Sequence, residues 1–137
     1  MLRHNWLLAC FVVALTPQLA AAQTKSNINQ AAAARDSGDY RAAAALLEIE
    51  QRDRPRDPLV LRLLGSAYAY DGQYEKAIAV LQQAQSIAPA DQDIALMLAR
   101  TFLWAGRREE AAATTAAVTL ADPANQELQP LRTAIAK

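Results

Sequence analysis

The sequence predicts an all-α fold, a solenoid of stacked helical hairpins with a short helix covering the last one. The first observation is a period of 34 residues, at which small, aromatic and turn-forming residues recur. The clearest copy consists of Gly65, Tyr68, Gly72, Tyr74, Ala77, Leu81, Ala84 and Pro89. The second observation is that Gly72 and Pro89 each follow an apolar stretch, which divides this copy into two helices. Repeated hairpins are therefore expected instead of one closed core.

Weaker copies of the pattern flank the clearest one. The preceding copy has Gly38, Tyr40, Ala43, Leu47 and Pro55, and the following copy has Ala99, Phe102, Gly106, Ala111 and Pro123. This set of positions resembles the tetratricopeptide repeat (TPR) family. The resemblance implies a right-handed α-solenoid, with repeats at 24–57, 58–91 and 92–125 and a capping helix at about 126–137.

The middle repeat contains explicit start and stop signals for both helices. Asp57 is a predicted N-cap before Pro58, a position where the missing N–H of proline costs nothing. Helix A should run to Tyr70 and end at Asp71–Gly72, where glycine supplies the left-handed conformation. Helix B is predicted over Tyr74–Ile87, because Ala88 precedes a proline.

Two small residues mark the predicted crossing of these helices. Gly65 in helix A and Ala77 in helix B let the backbones approach closely, while larger apolar residues fill the surrounding layer. We therefore expect a large residue at either position to separate the two helices.

The third repeat and the tail follow the same logic. With Asp91 as cap, helix A is predicted over Gln92–Trp104 and helix B over Arg108–Leu120. In the tail, Leu128, Leu131 and Ile135 have helical spacing, and Pro130 favours a start near Gln129 or Pro130.

The first repeat is predicted from about Ser26 to Arg52, with its turn at Ser37–Asp39. The charged stretch after it, Arg52–Asp57, is interpreted as a solvated loop of alternating charge. Its first helix is polar and alanine-rich, which suits an end repeat that faces water.

Residues 1–22 have the features of a secretory signal peptide. Arg3 and His4 precede an apolar run from Trp6 to Leu15, and small residues lead to a predicted cleavage after Ala22. A run this short is below the roughly 20 residues that span a bilayer. We therefore expect an exported, periplasmic domain of residues 23–137 without a membrane span. The alternative, a membrane anchor, requires the signal peptide to stay uncleaved.

Composition excludes several function classes for that domain. Cys10 is the only cysteine and His4 the only histidine, so cleavage removes both residue types and with them zinc sites, thiol nucleophiles and histidine bases. No metal, cofactor or catalytic residue is predicted, and the domain is not expected to be an enzyme. Subtracting Arg3 from the 14 basic residues leaves 13 against 14 acidic ones, which argues against nucleic acid as a partner.

The resemblance implies that helix A of each repeat lines a concave binding groove. The predicted partner-binding residues are Arg62, Ser66 and Tyr70 in the middle repeat and Met97, Arg100, Leu103 and Trp104 in the third. Large aromatics and arginine are enriched at binding hot spots. An alternative is that Tyr70 and Trp104 pack between successive repeats, whereas Tyr68 and Phe102 occupy the aromatic core position of the repeat.

Some chaperone-binding TPR domains hold a C-terminal carboxylate with a lysine and an asparagine on the first helix A. Ile28 and Ala32 stand at those positions here, which argues against such peptides as ligands. Arg62 and Arg100 remain able to hold an acidic group.

The sequence thus favours a non-catalytic adaptor of the bacterial envelope that binds a protein segment. Residues 98–107 also resemble repeats that precede outer-membrane barrels in exopolysaccharide and biofilm export proteins. The alternative is a carbohydrate-binding accessory protein in which Tyr70 and Trp104 stack on sugar rings. The pattern specifies no oligomeric state.

Overall fold

The computed structural model describes residues 17–137, with side chains from residue 27 onward. Seven α-helices and no strand occur in this range: α1 (Pro17–Asp36), α2 (Tyr40–Asp53), α3 (Pro58–Tyr70), α4 (Tyr74–Ile87), α5 (Gln92–Trp104), α6 (Arg108–Ala121) and α7 (Leu128–Ile135). The all-α prediction is confirmed. Most of the predicted signal peptide, residues 1–16, lies outside the described residues.

The observed bounds of α3, α4 and α5 are those predicted from the sequence. The clearest difference is α1, which begins at Pro17, well before the expected start near Ser26. A proline in the first turn and the alanines that follow it favour a helix, and no breaker separates them from the first repeat.

Aspartate caps and glycine turns produce these boundaries. The Asp57 carboxylate accepts the backbone N–H of Leu59 at 2.9 Å, and Asp91 accepts that of Ile94 at 3.2 Å, as predicted. Gly72 has a φ of +80°, a conformation that costs glycine no strain. The backbone reverses within three residues at this turn.

Helices α3 and α4 cross closely at Gly65, as the sequence predicted. A Cβ atom on Gly65 would lie only 2.5 Å from Cγ of Leu81, and Leu81 is fully buried. Ala77 is also fully buried in α4. The hairpin therefore depends on the absence of a side chain at residue 65.

Each helix packs against the next in the chain, so the hairpins stack side by side. At the far end, α7 buries Leu128 and Leu131 in one cluster with Ala95, Ala99 and Val118. The helix thus covers the last hairpin, as expected. Its start at Leu128 is one residue earlier than predicted.

The stretch Arg52–Asp57 is mostly exposed, as interpreted, but its first two residues belong to the end of α2, and Arg54 is partly buried and paired. Its guanidinium donates to Asp57 Oδ2 at 2.8 Å and to Glu50 Oε2 at 3.1 Å. Glu50 is fully buried and also accepts the Asn27 side-chain amide at 2.8 Å. These contacts join α1, α2 and the start of α3, because a buried carboxylate must be paired.

We expect Gly65→Ala to destabilise the protein by about 1–3 kcal/mol, because the new methyl group must displace Leu81. Urea unfolding measures this change. In a Leu81→Ala background the same substitution should cost much less, since the obstructing side chain is gone. An equal cost in both backgrounds would contradict the proposed contact.

Tyr68 gives the fold a specific sensitivity to alkaline pH. Burial, together with donation of its hydroxyl to Glu48 Oε1 at 2.5 Å, raises the pKa of Tyr68 to about 12. Its proton is held more tightly in the folded state than in the unfolded state, so stability is complete below pH 10 and falls as pH rises toward 12. Between pH 9 and 11.5 the wild type should lose about 2 kcal/mol more than Tyr68→Phe in urea unfolding. Equal losses would show that Tyr68 does not titrate in this way.

Candidate binding groove

A concave cavity of about 650 Å³ lies between α1, α2 and α3. Its lining is largely apolar, with Ile28, Ala31, Ala32, Ala43, Leu47, Leu59, Leu63, Ala67 and Met97. Polar and aromatic side chains complete it, namely Arg35, Asp36, Tyr40, Arg62, Ser66 and Tyr70. We call this cavity the groove. An apolar cavity with a few polar groups is the usual form of a binding site.

Helix α3 supplies one whole face to the groove. Its lining residues recur at intervals of three and four, which places them on one side of a helix. Gly65 and Leu61 point instead into the buried packing layers, since both are buried and neither lines the groove. The crossing at Gly65 thus fixes which face of α3 is presented.

The groove brings together four of the seven predicted partner-binding residues: Arg62, Ser66, Tyr70 and Met97. Met97 is almost completely buried and lies at the bottom of the groove. The hydroxyl of Ser66 donates to the backbone carbonyl of Arg62 at 2.8 Å. Arg100, Leu103 and Trp104 do not line the groove. Leu103 is partly buried and packs against two of the hydrophobic clusters.

Both predicted groove arginines have loosely held partners within the chain. Arg62 Nη1 lies 3.7 Å from Asp93 Oδ2, and Arg100 Nη2 lies 3.3 Å from Glu127 Oε2. Both carboxylates are largely exposed, and exposed ion pairs contribute little free energy. An incoming acidic group can therefore replace Asp93 at Arg62 at small cost.

Three aromatic rings make a continuous series of contacts, here called the aromatic stack, and two of them, Tyr40 and Tyr70, line the groove. Tyr40 and Tyr70 are stacked with centroids 5.1 Å apart, and Trp104 lies 5.3 Å from Tyr70 at a tilt of 54°. Tyr70 and Trp104 nevertheless keep 44% and 39% of their surface exposed. The sequence left two alternatives for Tyr70 and Trp104, packing between repeats and exposure at the surface. In the structure both side chains do both.

Tyr40 is the functional candidate that sequence analysis missed. It was assigned only to the repeat pattern, because it opens α2 at the position that Tyr74 has in α4. The sequence feature that could have indicated Tyr40 is the tight turn at Gly38, because it places the first residue of α2 next to the end of α1. Tyr68 and Phe102, by contrast, are buried in the core as predicted.

The described residues contain neither a candidate metal site nor a candidate membrane-spanning helix. In residues 27–137, no three His, Cys, Asp or Glu residues are grouped so that they could hold a metal ion. None of the seven helices is both long enough and apolar enough to cross a membrane.

We expect Tyr70→Ala to expose Trp104 and shift its fluorescence to longer wavelength, because the indole loses its ring contact. The measurement uses a Trp6→Phe background, which leaves Trp104 as the single tryptophan of the chain. Tyr40→Ala is the matched control, since Tyr40 contacts Tyr70. Equal shifts in both variants, or none in Tyr70→Ala, would contradict the stack.

Comparisons with known proteins agree with this architecture. The profile of the tetratricopeptide repeat family matches residues 68–135, from the end of α3 through α7. Among solved structures, the chain is similar to the second TPR domain of the human RPAP3 protein, determined by NMR in complex with the HSP70 peptide SGPTIEEVD. The TM-score is 0.78 at 19% identity, over 85% of this chain and 98% of that one. The search of curated proteins finds no match. Residues 68–135 therefore belong to the tetratricopeptide repeat family, and the described chain has the fold of a TPR domain.

Proposed function

We propose that this protein is a non-catalytic adaptor of the bacterial cell envelope that binds a segment of a partner protein in the groove. The observation that carries the proposal is the groove itself, an apolar concavity of about 650 Å³ edged by exposed aromatic rings and an exchangeable arginine. Such a surface offers apolar burial and directional polar contacts to a peptide. A mature sequence without histidine or cysteine supports the non-catalytic part.

The lining indicates what kind of segment fits best. Ile28 and Ala32, which replace the carboxylate-holding residues of some chaperone-binding domains, lie in the groove lining. An apolar side chain can therefore be buried beside Ile28 and Ala32, which themselves offer no hydrogen-bond donor to a terminal carboxylate. An acidic side chain beside that anchor would pair with Arg62 in place of Asp93. We propose an internal segment that combines both features.

The solved complex of the human RPAP3 domain supports the proposal that a domain of this fold binds a short peptide segment. Its peptide, SGPTIEEVD, contains an isoleucine followed by two glutamates, the combination of apolar and acidic side chains proposed here. Because the two sequences are only 19% identical, we do not propose that this protein binds the same peptide. The shared fold supports capture of a segment by a stack of hairpins.

The envelope location rests on the sequence of residues 1–22, which has the form of a cleavable signal peptide. We further propose that the partner belongs to an envelope or secretion assembly. The likeness of residues 98–107 to repeats of exopolysaccharide export proteins supports this assignment.

The carbohydrate alternative is less well supported. A sugar ring stacks on an open aromatic face, yet the Tyr70 ring already contacts both Tyr40 and Trp104. The exposed surface of this stack is better suited to lateral contact with a peptide side chain.

A photo-crosslinking amino acid at Ser66, in cells that express the whole chain with its leader, should yield a discrete adduct that protease removes. The same probe at Gln82, an exposed residue of α4 outside the groove lining, is the matched control and should yield none. Equal capture from both positions would contradict groove binding. An adduct that resists protease but is removed by glycosidase would replace the adaptor hypothesis with the carbohydrate one.

A further inference from the structure

We infer that the groove recognises an extended segment in which one large apolar side chain and one acidic side chain lie two positions apart. This inference rests on the proposed function, and it adds the residue spacing that a partner segment must have. It follows from the small residues that line the middle of the groove and from the position of Arg62 one helical turn away from them.

The middle of the groove is lined by small residues from α1, α2 and α3. Ala32 and Ser66 are one period apart, so they occupy the same position in the equivalent helices α1 and α3, and both are half-buried. The lining also contains three buried alanines, Ala31, Ala43 and Ala67. Larger apolar residues complete it, namely Ile28, Leu47, Leu63 and Met97. Because small and large apolar residues line one cavity, it has room for a side chain of the size of leucine or phenylalanine.

The small residues also favour an apolar side chain over a polar one. The hydroxyl of Ser66 already donates to the backbone carbonyl of Arg62 at 2.8 Å, and alanine has no polar side-chain atom. An apolar side chain that is buried here therefore leaves no hydrogen-bond donor of Ser66 unpaired, and it gains the free energy of leaving water.

Arg62 offers the position for the acidic side chain. The groove lining contains two arginines, and they differ in how firmly their charge is matched. Arg35 donates to the adjacent Asp36 through Nε at 3.1 Å and through Nη2 at 2.9 Å. Arg62 Nη1 lies 3.7 Å from Asp93 Oδ2, which is longer than a hydrogen bond. A bound carboxylate therefore gains more at Arg62 than at Arg35.

The spacing of the two side chains follows from the geometry of α3. Arg62 and Ser66 are four residues apart, which is a rise of about 6 Å along a helix. An extended segment that runs along α3 advances about 6.6 Å over two residues, and side chains two positions apart point to the same side. Side chains of adjacent residues point to opposite sides, so only one of them could enter the groove. Because Asp93 holds Arg62 loosely, the guanidinium can turn toward the bound carboxylate.

Selection from a library of random peptides displayed on phage, against the purified protein in the form that cells accumulate, tests this pattern. We expect the enriched sequences to contain an acidic residue two positions from a large apolar residue. Arg62→Glu should replace the acidic residue of the pattern by a basic one, because the charge in the groove is reversed. Arg108→Glu, which reverses an exposed arginine of α6 outside the groove lining, is the matched control and should enrich the wild-type pattern.

Synthetic copies of a selected peptide, with blocked ends, test the two positions separately. Moving the acidic residue by one position should raise the Kd by about 10-fold or more, as should its replacement by glutamine. Ala32→Phe fills the middle of the groove and should abolish binding. Ala33→Phe, at an exposed residue of α1 outside the groove lining, is the matched control and should leave the Kd unchanged.

Several results would overturn this inference: no enriched sequence, a pattern without an acidic residue, the same pattern in Arg62→Glu, or an equal Kd after the acidic residue is moved. If the photo-crosslinking probe at Ser66 still captured a protein, these results would remove the spacing and leave the proposed function standing. Absence of both the adduct and an enriched sequence would contradict the proposed function as well.

Discussion

Helices A and B of each hairpin cross at small residues, and this close crossing sets the geometry of the whole array. In the middle repeat, Gly65 leaves no room for even a Cβ atom beside Leu81. The B helices have alanine at Ala43, Ala77 and Ala111, which are 34 residues apart, and all three are buried. Because the same small residue returns at the same crossing, successive hairpins have similar geometry and stack in a regular array.

Stacking explains why the protein offers a surface for binding. Each hairpin buries its sides against its neighbours, which leaves the concave face of α1 and α3 uncovered within the described chain. The aromatic stack of Tyr40, Tyr70 and Trp104 links three successive hairpins along that face. The same three side chains therefore hold neighbouring hairpins together, and two of them, Tyr40 and Tyr70, also line the groove.

The sequence predicted the helices well because their boundaries depend on local chemistry. Asp57 caps a helix through its own neighbours, and Gly72 needs no distant contact to adopt a positive φ. The site was predicted only in part. Arg62 and Tyr70 line the groove, whereas Arg100 lies outside it and pairs with Glu127, a residue from beyond the repeat that no period could indicate. The buried Glu50–Arg54 pair and the Tyr40 stack also arise from tertiary packing.

Residue-resolved hydrogen exchange of the free protein can show whether the helices are held as a stack of hairpins, because exchange reports the local free energy of opening. A stack of hairpins held by neighbour contacts predicts the slowest amide exchange in α3, α4 and α5, the middle of the array, and progressively faster exchange toward α1 and α7. Uniform exchange of all seven helices through one global opening would contradict this account, since it would indicate a single closed core.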